Sequence, residues 1–292
     1  MTNARTPIDS LLHVADLHFW RVLANPLRML NKRFLGNLNV WLRRRREFCM
    51  ERAEPFAKTL IDTGVRQLLL TGDLTSTSVD EEFALAARFI DILRERGLTV
   101  ALLPGNHDVY TFEARRKQRF ERWFADIAPD GYPARVTLLG GTPLLLVPTV
   151  CPNILSSRGR ITPADVAQTR RLLDACGETV VVAAHYPLRY RTHAYATPAL
   201  RQLRNAALLR QALGESGRRI LYVAGHVHRF SYTRDPEYPR LYHLTTGALF
   251  RNAPAQRVQG EFSEIHVCSE RFRVFLHRHQ DGWRRVEQTP VS

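Results

Sequence analysis

Five short apolar runs in this chain each end on an acidic, amide or imidazole side chain, and that placement constrains the fold more than any other feature. Leu11–Ala15 is followed by Asp16-Leu17-His18, and Gln67–Thr71 by Gly72-Asp73. Thr99–Pro104 leads into Gly105-Asn106-His107-Asp108, Thr179–Ala184 into His185, and Ile220–Ala224 into Gly225-His226-Val227-His228. The runs are rich in Leu, Val and Ala and lack polar alternation, as strands do when both faces of their sheet are covered. Leu144–Pro148 reads as a sixth such strand. Open α/β sheets place their ligand sites at the carboxyl ends of strands, which is where these polar residues fall.

Between the strands, Glu47–Thr63, Val79–Arg96, Phe112–Ile127, Pro163–Ala175 and Pro198–Leu213 carry apolar residues at helical spacing. Thr162 before Pro163 is a good N-cap with proline at the first helical position. The last third changes character. Phe230–Arg234, Leu241–Thr246, Phe262–Cys268 and Arg271–Arg278 alternate polar with apolar and read as short antiparallel strands. Alternating strands and helices followed by a run of strands predict a layered α/β sandwich with a second, more antiparallel sheet. There is no internal repeat and no long linker, so residues 1–292 are expected to form one domain.

Cys49, Cys151, Cys176 and Cys268 are far apart and make no CxxC pair, which argues against a zinc ribbon or a disulfide framework. The N-terminus has no apolar signal-peptide core, and no window reaches 18 consecutive apolar residues. A cytoplasmic protein, or one peripheral on the inner face of a membrane, is expected. The formal net charge of +14 favours anionic partners such as nucleotides, nucleic acids or anionic lipids without choosing among them.

Asp16, His18, Asp73, Asn106, His185, His226 and His228 offer seven oxygen and nitrogen donors for divalent metals. That is too many for one ion with an open position, and it suits two ions about 3.5–4 Å apart sharing a carboxylate. Glycines at 72, 105 and 225 permit the sharp turns such strand ends require.

In order and in residue type, the five segments resemble the motifs of the calcineurin-like metallophosphoesterases, D-x-H, G-D, G-N-H-D/E, H and G-H-x-H, over roughly residues 8 to 250. The bacterial phosphodiesterase branch is the nearest in motif wording. The resemblance implies a four-layer α/β/β/α sandwich of two mixed β-sheets flanked by helices. It implies that Asp16, His18 and His228 bind one metal, that Asn106, His185 and His226 bind the other, and that Asp73 bridges them. His107 would sit beside the scissile phosphate as catalytic acid or transition-state contact, with Asp108 orienting its imidazole. Two ions of the Mn, Fe, Zn or Mg type would then activate a bridging hydroxide for in-line attack on phosphorus. A non-enzymatic scaffold on the same fold is the competing expectation, and it is weakened because every ligand and His107 are kept.

The stretch from Trp20 to Arg46 holds eight basic residues and no acidic one. Trp20, Leu23, Leu27, Leu30, Phe34, Leu38 and Trp41 recur every three or four positions, an amphipathic stripe interrupted by Pro26 and Gly36. This insertion, at about 19–46, fits an anchor on an anionic membrane, a cap over the site, or a docked structural helix. The expected substrate is accordingly a phosphorylated small molecule or a lipid-linked phosphate or pyrophosphate. Nucleic acid is disfavoured, because too little chain follows Thr246 to form the extra capping domain of the family's repair nucleases. Arg189, Arg191 and His193, just after His185, are further candidates to touch substrate.

Overall fold

The structure is a computed structural model and describes residues 6–21, 45–153 and 156–292. Most of the basic amphipathic insertion therefore lies outside the described residues. Its two ends do not, and there Trp20 packs half-buried on the core, its indole N–H donating to the Phe48 carbonyl at 3.0 Å.

Two six-stranded mixed sheets form the centre. In the first, β1 (Asp9–Val14), β2 (Gln67–Leu70) and β3 (Thr99–Leu102) run parallel. On the other side of β1, β12 (Glu261–Val267), β13 (Phe272–His279) and β14 (Trp283–Gln288) continue it as an antiparallel meander. The second sheet has the parallel centre β5 (Pro143–Leu146), β7 (Thr179–Ala183), β9 (Arg219–Ala224) and β11 (Leu241–Thr245). Its antiparallel edges are β4 (Ala134–Thr137) and β10 (Ser231–Arg234). A two-stranded pair of β6 (Gly159–Arg160) and β8 (Leu203–Arg204) stands apart.

Side chains alternate across these strands even where the sequence does not. Leu68 and Leu70 of β2 face the helices α1 (Ala53–Asp62) and α2 (Asp80–Glu95), whereas Leu69 faces the other sheet. Val180 and Val182 of β7 likewise face α5 (Pro163–Asp174) and α6 (Ala206–Gly214), whereas Val181 and Ala183 point inward. Three apolar layers result, one between the sheets and one beneath each set of helices, giving the α/β/β/α order. At about 1.5–3 kcal/mol for each fully buried Leu or Val, these layers supply the main drive for closing the sandwich.

The C-terminal strands depart from expectation. They do not make one antiparallel sheet: β12 to β14 extend the first sheet, while β10 and β11 join the second, with β11 parallel to β9. The edge strands β4 and β14 lacked the apolar signature because they are half-exposed and charged, as edges usually are. The expected helix over 112–127 is two short ones, α3 (Phe112–Arg116) and α4 (Arg119–Trp123), broken at Gln118, whose φ is 48°. The expected helix over 198–213 begins instead as a 3-10 turn at Ala199–Arg201, passes through β8, and becomes helical only at α6. Thr162 caps α5 as predicted, accepting from Asp165 N while the Asp165 carboxylate accepts from Thr162 N. No helix among the described residues is long and apolar enough to cross a membrane.

Candidate metal centre

The loops leaving β1, β2, β3, β7 and β9 meet at one end of the sandwich. Asp16, His18, Asp73, His226 and His228 all adopt left-handed backbone conformations, with φ of 55°, 51°, 53°, 68° and 51°. Such conformations cost a non-glycine residue of order 1 kcal/mol each and persist only where the surroundings hold them. Here the loops brace one another. Asp16 N donates to Gly72 O at 3.0 Å, His18 N to Asp73 O at 2.9 Å, and Gly225 N to His185 O at 3.1 Å. The main-chain N–H of His226 donates to both oxygens of Asp16 at 3.0 and 3.2 Å. A Cβ on Gly105 would overlap the backbone and carboxylate of Asp73, so the contact between these two loops requires glycine.

The side chains gather into two groups, Asp16, His18, Asp73 and His228 in one and Asp73, His185 and His226 in the other. Within each group the donor atoms lie within 4.8 Å of one another. Asp73 belongs to both, its Oδ2 lying 3.7 Å from His18 Nε2 and 3.5 Å from His185 Nε2. Asn106 joins the second group, its Oδ1 being 3.1 Å from His185 Nε2 and 3.0 Å from His226 Nδ1. His228 Nε2 lies 3.1 Å from His18 Nε2 and 3.4 Å from Asp16 Oδ1. The structure thus brings together all seven residues singled out as ligands.

Backbone carbonyls fix which ring nitrogen faces the centre. His185 Nδ1–H donates to Thr71 O at 2.8 Å, which turns Nε2 toward Asp73 and Asn106. His226 is reversed: its Nε2–H donates to Arg201 O at 2.9 Å, so Nδ1 points inward. Carbonyl-oriented imidazoles with a second nitrogen converging on carboxylates are the usual outer support of metal ligands. Burial works against an ionised Asp73, yet the imidazoles of His185, His107 and His18 outweigh it and hold its carboxyl well below the usual range. Burial would likewise depress His185, but Asp73 prevails and lifts it to about 9. His226 is pushed well below its ordinary value by burial and by the neighbouring His185. An anionic Asp73 amid imidazoles asks for positive charge, and divalent cations would supply it with every imidazole neutral. The donor set fits two such ions.

His107 is half-buried at the rim. Its N–H donates to Asp73 Oδ1 at 2.7 Å, and its ring lies edge-on to that of His18 at 5.0 Å and stacks on Tyr110 at 5.2 Å. The orienting partner differs from the one expected. Nδ1–H donates to the Ser76 carbonyl at 2.7 Å, whereas the Asp108 carboxylate accepts from Leu74 N, Thr75 N, Thr75 Oγ1 and Gly105 N. Asp108 ties the G-D and G-N-H-D loops together instead. Burial, then the charge of Asp73, raises its pKa to about 7 despite these four donors. The loop carrying Ser76 is in turn gripped by buried Glu82, which accepts from Ser76 N, Thr77 N and Arg21 N.

A cavity of about 360 Å³ opens beside His226 and His228, walled also by Phe48, Tyr195, Arg201, Arg229 and Arg251. Sequence reading missed these arginines. Arg229 directly follows the last motif and could have been noticed, but Arg201 and Arg251 reach the site only through the fold. Of the arginines that were noticed, Arg189 turns toward Thr233 Oγ1 and the Arg234 carbonyl, and Arg191 and His193 are exposed.

The family model for calcineurin-like phosphoesterases matches residues 10–230. Among solved structures, a dimetal phosphatase from Danio rerio superposes with a TM-score of 0.62 at 12% identity, covering 97% of this chain and 100% of that one. A purple acid phosphatase from yellow lupin gives a TM-score of 0.56 at 12% identity, over 94% of this chain and 52% of that one. At this identity the two likenesses speak for the fold alone. No curated protein matches the sequence. The family match, which reaches to the start of the last five strands, and the ordered motifs at the ends of five strands lead to one conclusion: the chain belongs to the calcineurin-like phosphoesterase family.

Proposed function

We propose that the chain hydrolyses phosphodiester or pyrophosphate bonds with the aid of two divalent ions of the Mn, Fe, Zn or Mg class. The observation that carries this reading is the pair of donor clusters meeting on one oxygen of Asp73, with the ring of His107 at their edge. Asp16, His18 and His228 would hold one ion, and Asn106, His185 and His226 the other. When bound, the ions lower the pKa of water and neutralise charge on the phosphoryl oxygens.

The chain's own groups do the remainder. Thr71 O and Arg201 O keep the His185 and His226 rings turned for binding. Because the Ser76 carbonyl holds Nδ1–H of His107, proton delivery to the leaving oxygen falls to Nε2 and requires the imidazolium. Tyr110 stacked on that ring limits its rotation. The cavity beside His226 and His228 has room for an ester substituent, which favours a diester or pyrophosphate over a small monoester.

The test is hydrolysis of bis(p-nitrophenyl) phosphate and p-nitrophenyl phosphate by the full chain with added Mn²⁺. Metal-dependent cleavage of the diester, abolished in Asp73→Asn, is the expected result. A metal-loaded, folded protein that cleaves neither ester would overturn the reading and leave the scaffold alternative. The basic stripe from Trp20 to Arg46 supports a second reading, action at an anionic membrane surface on a lipid-linked phosphate. Co-sedimentation with anionic but not neutral liposomes, lost on deleting that stretch, is its expected signature, and no pelleting with either would exclude it.

A further inference from the structure

The connection between β2 and α2 is built of polar residues that are nonetheless buried. Thr75, Ser76, Thr77 and Ser78 are each no more than 2% exposed. Buried main-chain N–H groups outside a strand ladder need acceptors from elsewhere. Glu82, fully buried at the third position of α2, supplies them. Its Oε2 accepts from Ser76 N at 3.1 Å and Thr77 N at 2.7 Å. Its Oε1 accepts from Thr77 Oγ1 at 3.1 Å and from Arg21 N at 3.2 Å, which fastens the start of the basic stretch to the same carboxylate. The helix N-terminus favours a carboxylate here. All four donors are uncharged, and burial raises the pKa of Glu82 to about 7 against their pull.

The grip of Glu82 extends past the loop to the ring of His107. Each polar group of Ser76 is committed to a different partner. Its N–H goes to Glu82, its Oγ–H to the His18 carbonyl at 3.1 Å, and its carbonyl to Nδ1–H of His107 at 2.7 Å. One residue therefore stands between the Glu82 carboxylate and the imidazole. A swing of the Ser76 backbone would carry the bonded Nδ1 with it and re-aim Nε2. Displacing a reacting group by about 1 Å can cost about 10²-fold in rate.

We infer that Glu82 is a positioning residue for His107: through Ser76 it holds the imidazole where Nε2 can serve the leaving oxygen. The inference rests on the phosphohydrolase reading above and adds to it a residue outside both donor clusters. Filling buried donors for the sake of the fold alone would not single out the proton-transfer step.

The test measures kcat and KM of the full Mn²⁺-loaded chain on two diesters. Bis(p-nitrophenyl) phosphate has a leaving group that needs little protonation, whereas the more basic phenolate of diphenyl phosphate leaves with help from an acid. Glu82→Ala should lower kcat on diphenyl phosphate by about 10–10²-fold, with KM and metal content near wild type, and lower it much less on the nitrophenyl ester. Glu82→Gln, whose amide oxygen can still accept from Ser76 N and Thr77 N, should recover part of the loss, and it carries the test if the alanine variant does not fold. In a His107→Ala background either substitution should cost little more, because the group being positioned is gone. Equal losses on the two esters, or losses that multiply with His107→Ala, would overturn the inference and leave the hydrolase reading standing. If the wild-type chain cleaves neither ester, the ¹⁵N NMR signals of the His107 ring decide it separately. An Nδ1–H tautomer in wild type that is lost in the Glu82 variants supports the positioning role, and a tautomer indifferent to them sinks it.

Discussion

His226 donates its Nε2–H to the backbone carbonyl of Arg201 at 2.9 Å, so a candidate metal donor and a cationic wall of the adjoining cavity share one hydrogen bond. The bond reverses the His226 tautomer relative to His185 and gives the 3-10 turn at Ala199–Arg201 a fixed position. Tyr186, whose ring centroid lies 4.1 Å from that of His226, supports it from behind. Anything that shifts the turn is felt at the centre.

Asp73 is the residue both clusters share, so its loss should remove both ions. Asp73→Asn keeps the shape but halves the acceptor capacity and deletes the charge. Metal content by plasma mass spectrometry should fall from two ions per chain toward zero. Hydrolysis should drop by at least about 10²-fold, the scale of removing one charge contact to the transition state. Retention of two ions would show that Asp73 is not the bridge.

His107 should separate binding of metal from turnover. His107→Ala is expected to lower kcat by about 10²–10⁴-fold, the range for a general acid, with metal content unchanged. Tyr110→Leu removes the stacked ring without touching a ligand, and should lower kcat more than it raises KM. Equal loss of metal and rate in His107→Ala would instead make His107 a ligand.

The convergence of the seven candidate donors was readable because each is a side chain following an apolar strand, and side chains are what a sequence displays. The supports of the site were not. Thr71, Ser76 and Arg201 act through backbone carbonyls, which every residue possesses, so nothing at those positions announced the role. The role expected for Asp108 failed for a related reason: adjacency to His107 in sequence does not place its carboxylate beside the ring, and four donors from the Gly72 and Gly105 loops claim it first. The direction of β11 was also hidden. Its apolar residues fit a strand running either way, and only the β10–β11 hairpin, which sets β11 beside β9, makes it parallel.

Thr162 offers a stability change far from the chemistry. Its hydroxyl accepts from Asp165 N at 3.1 Å to cap α5. Thr162→Ala should cost about 1 kcal/mol, or about 1–2 °C in Tm for a chain of this size. Its kcat/KM should match wild type, and a loss of rate would reveal an unrecognised link between α5 and the site.

His13 should make the fold sensitive to acid. It is fully buried in β1, its Nε2 faces Thr71 Oγ1 at 2.9 Å, and its Nδ1 has no partner. Burial depresses its pKa to about 3 from an ordinary 6.5. The unfolded chain therefore binds a proton that the folded chain refuses between those values. Stability from the neutral ring is complete above pH 6.5 and is lost as pH falls toward 3, by at most about 1.4 kcal/mol per pH unit. His13→Gln keeps a donor near Thr71 and removes the titration. Urea unfolding of the two proteins from pH 7.5 to 4.5 isolates the effect, because the carboxylates and metal ligands that also titrate are common to both. The gap between wild type and His13→Gln should shift in favour of the variant by a few kcal/mol on acidification. A gap independent of pH would mean that water reaches the ring and that His13 is not held neutral.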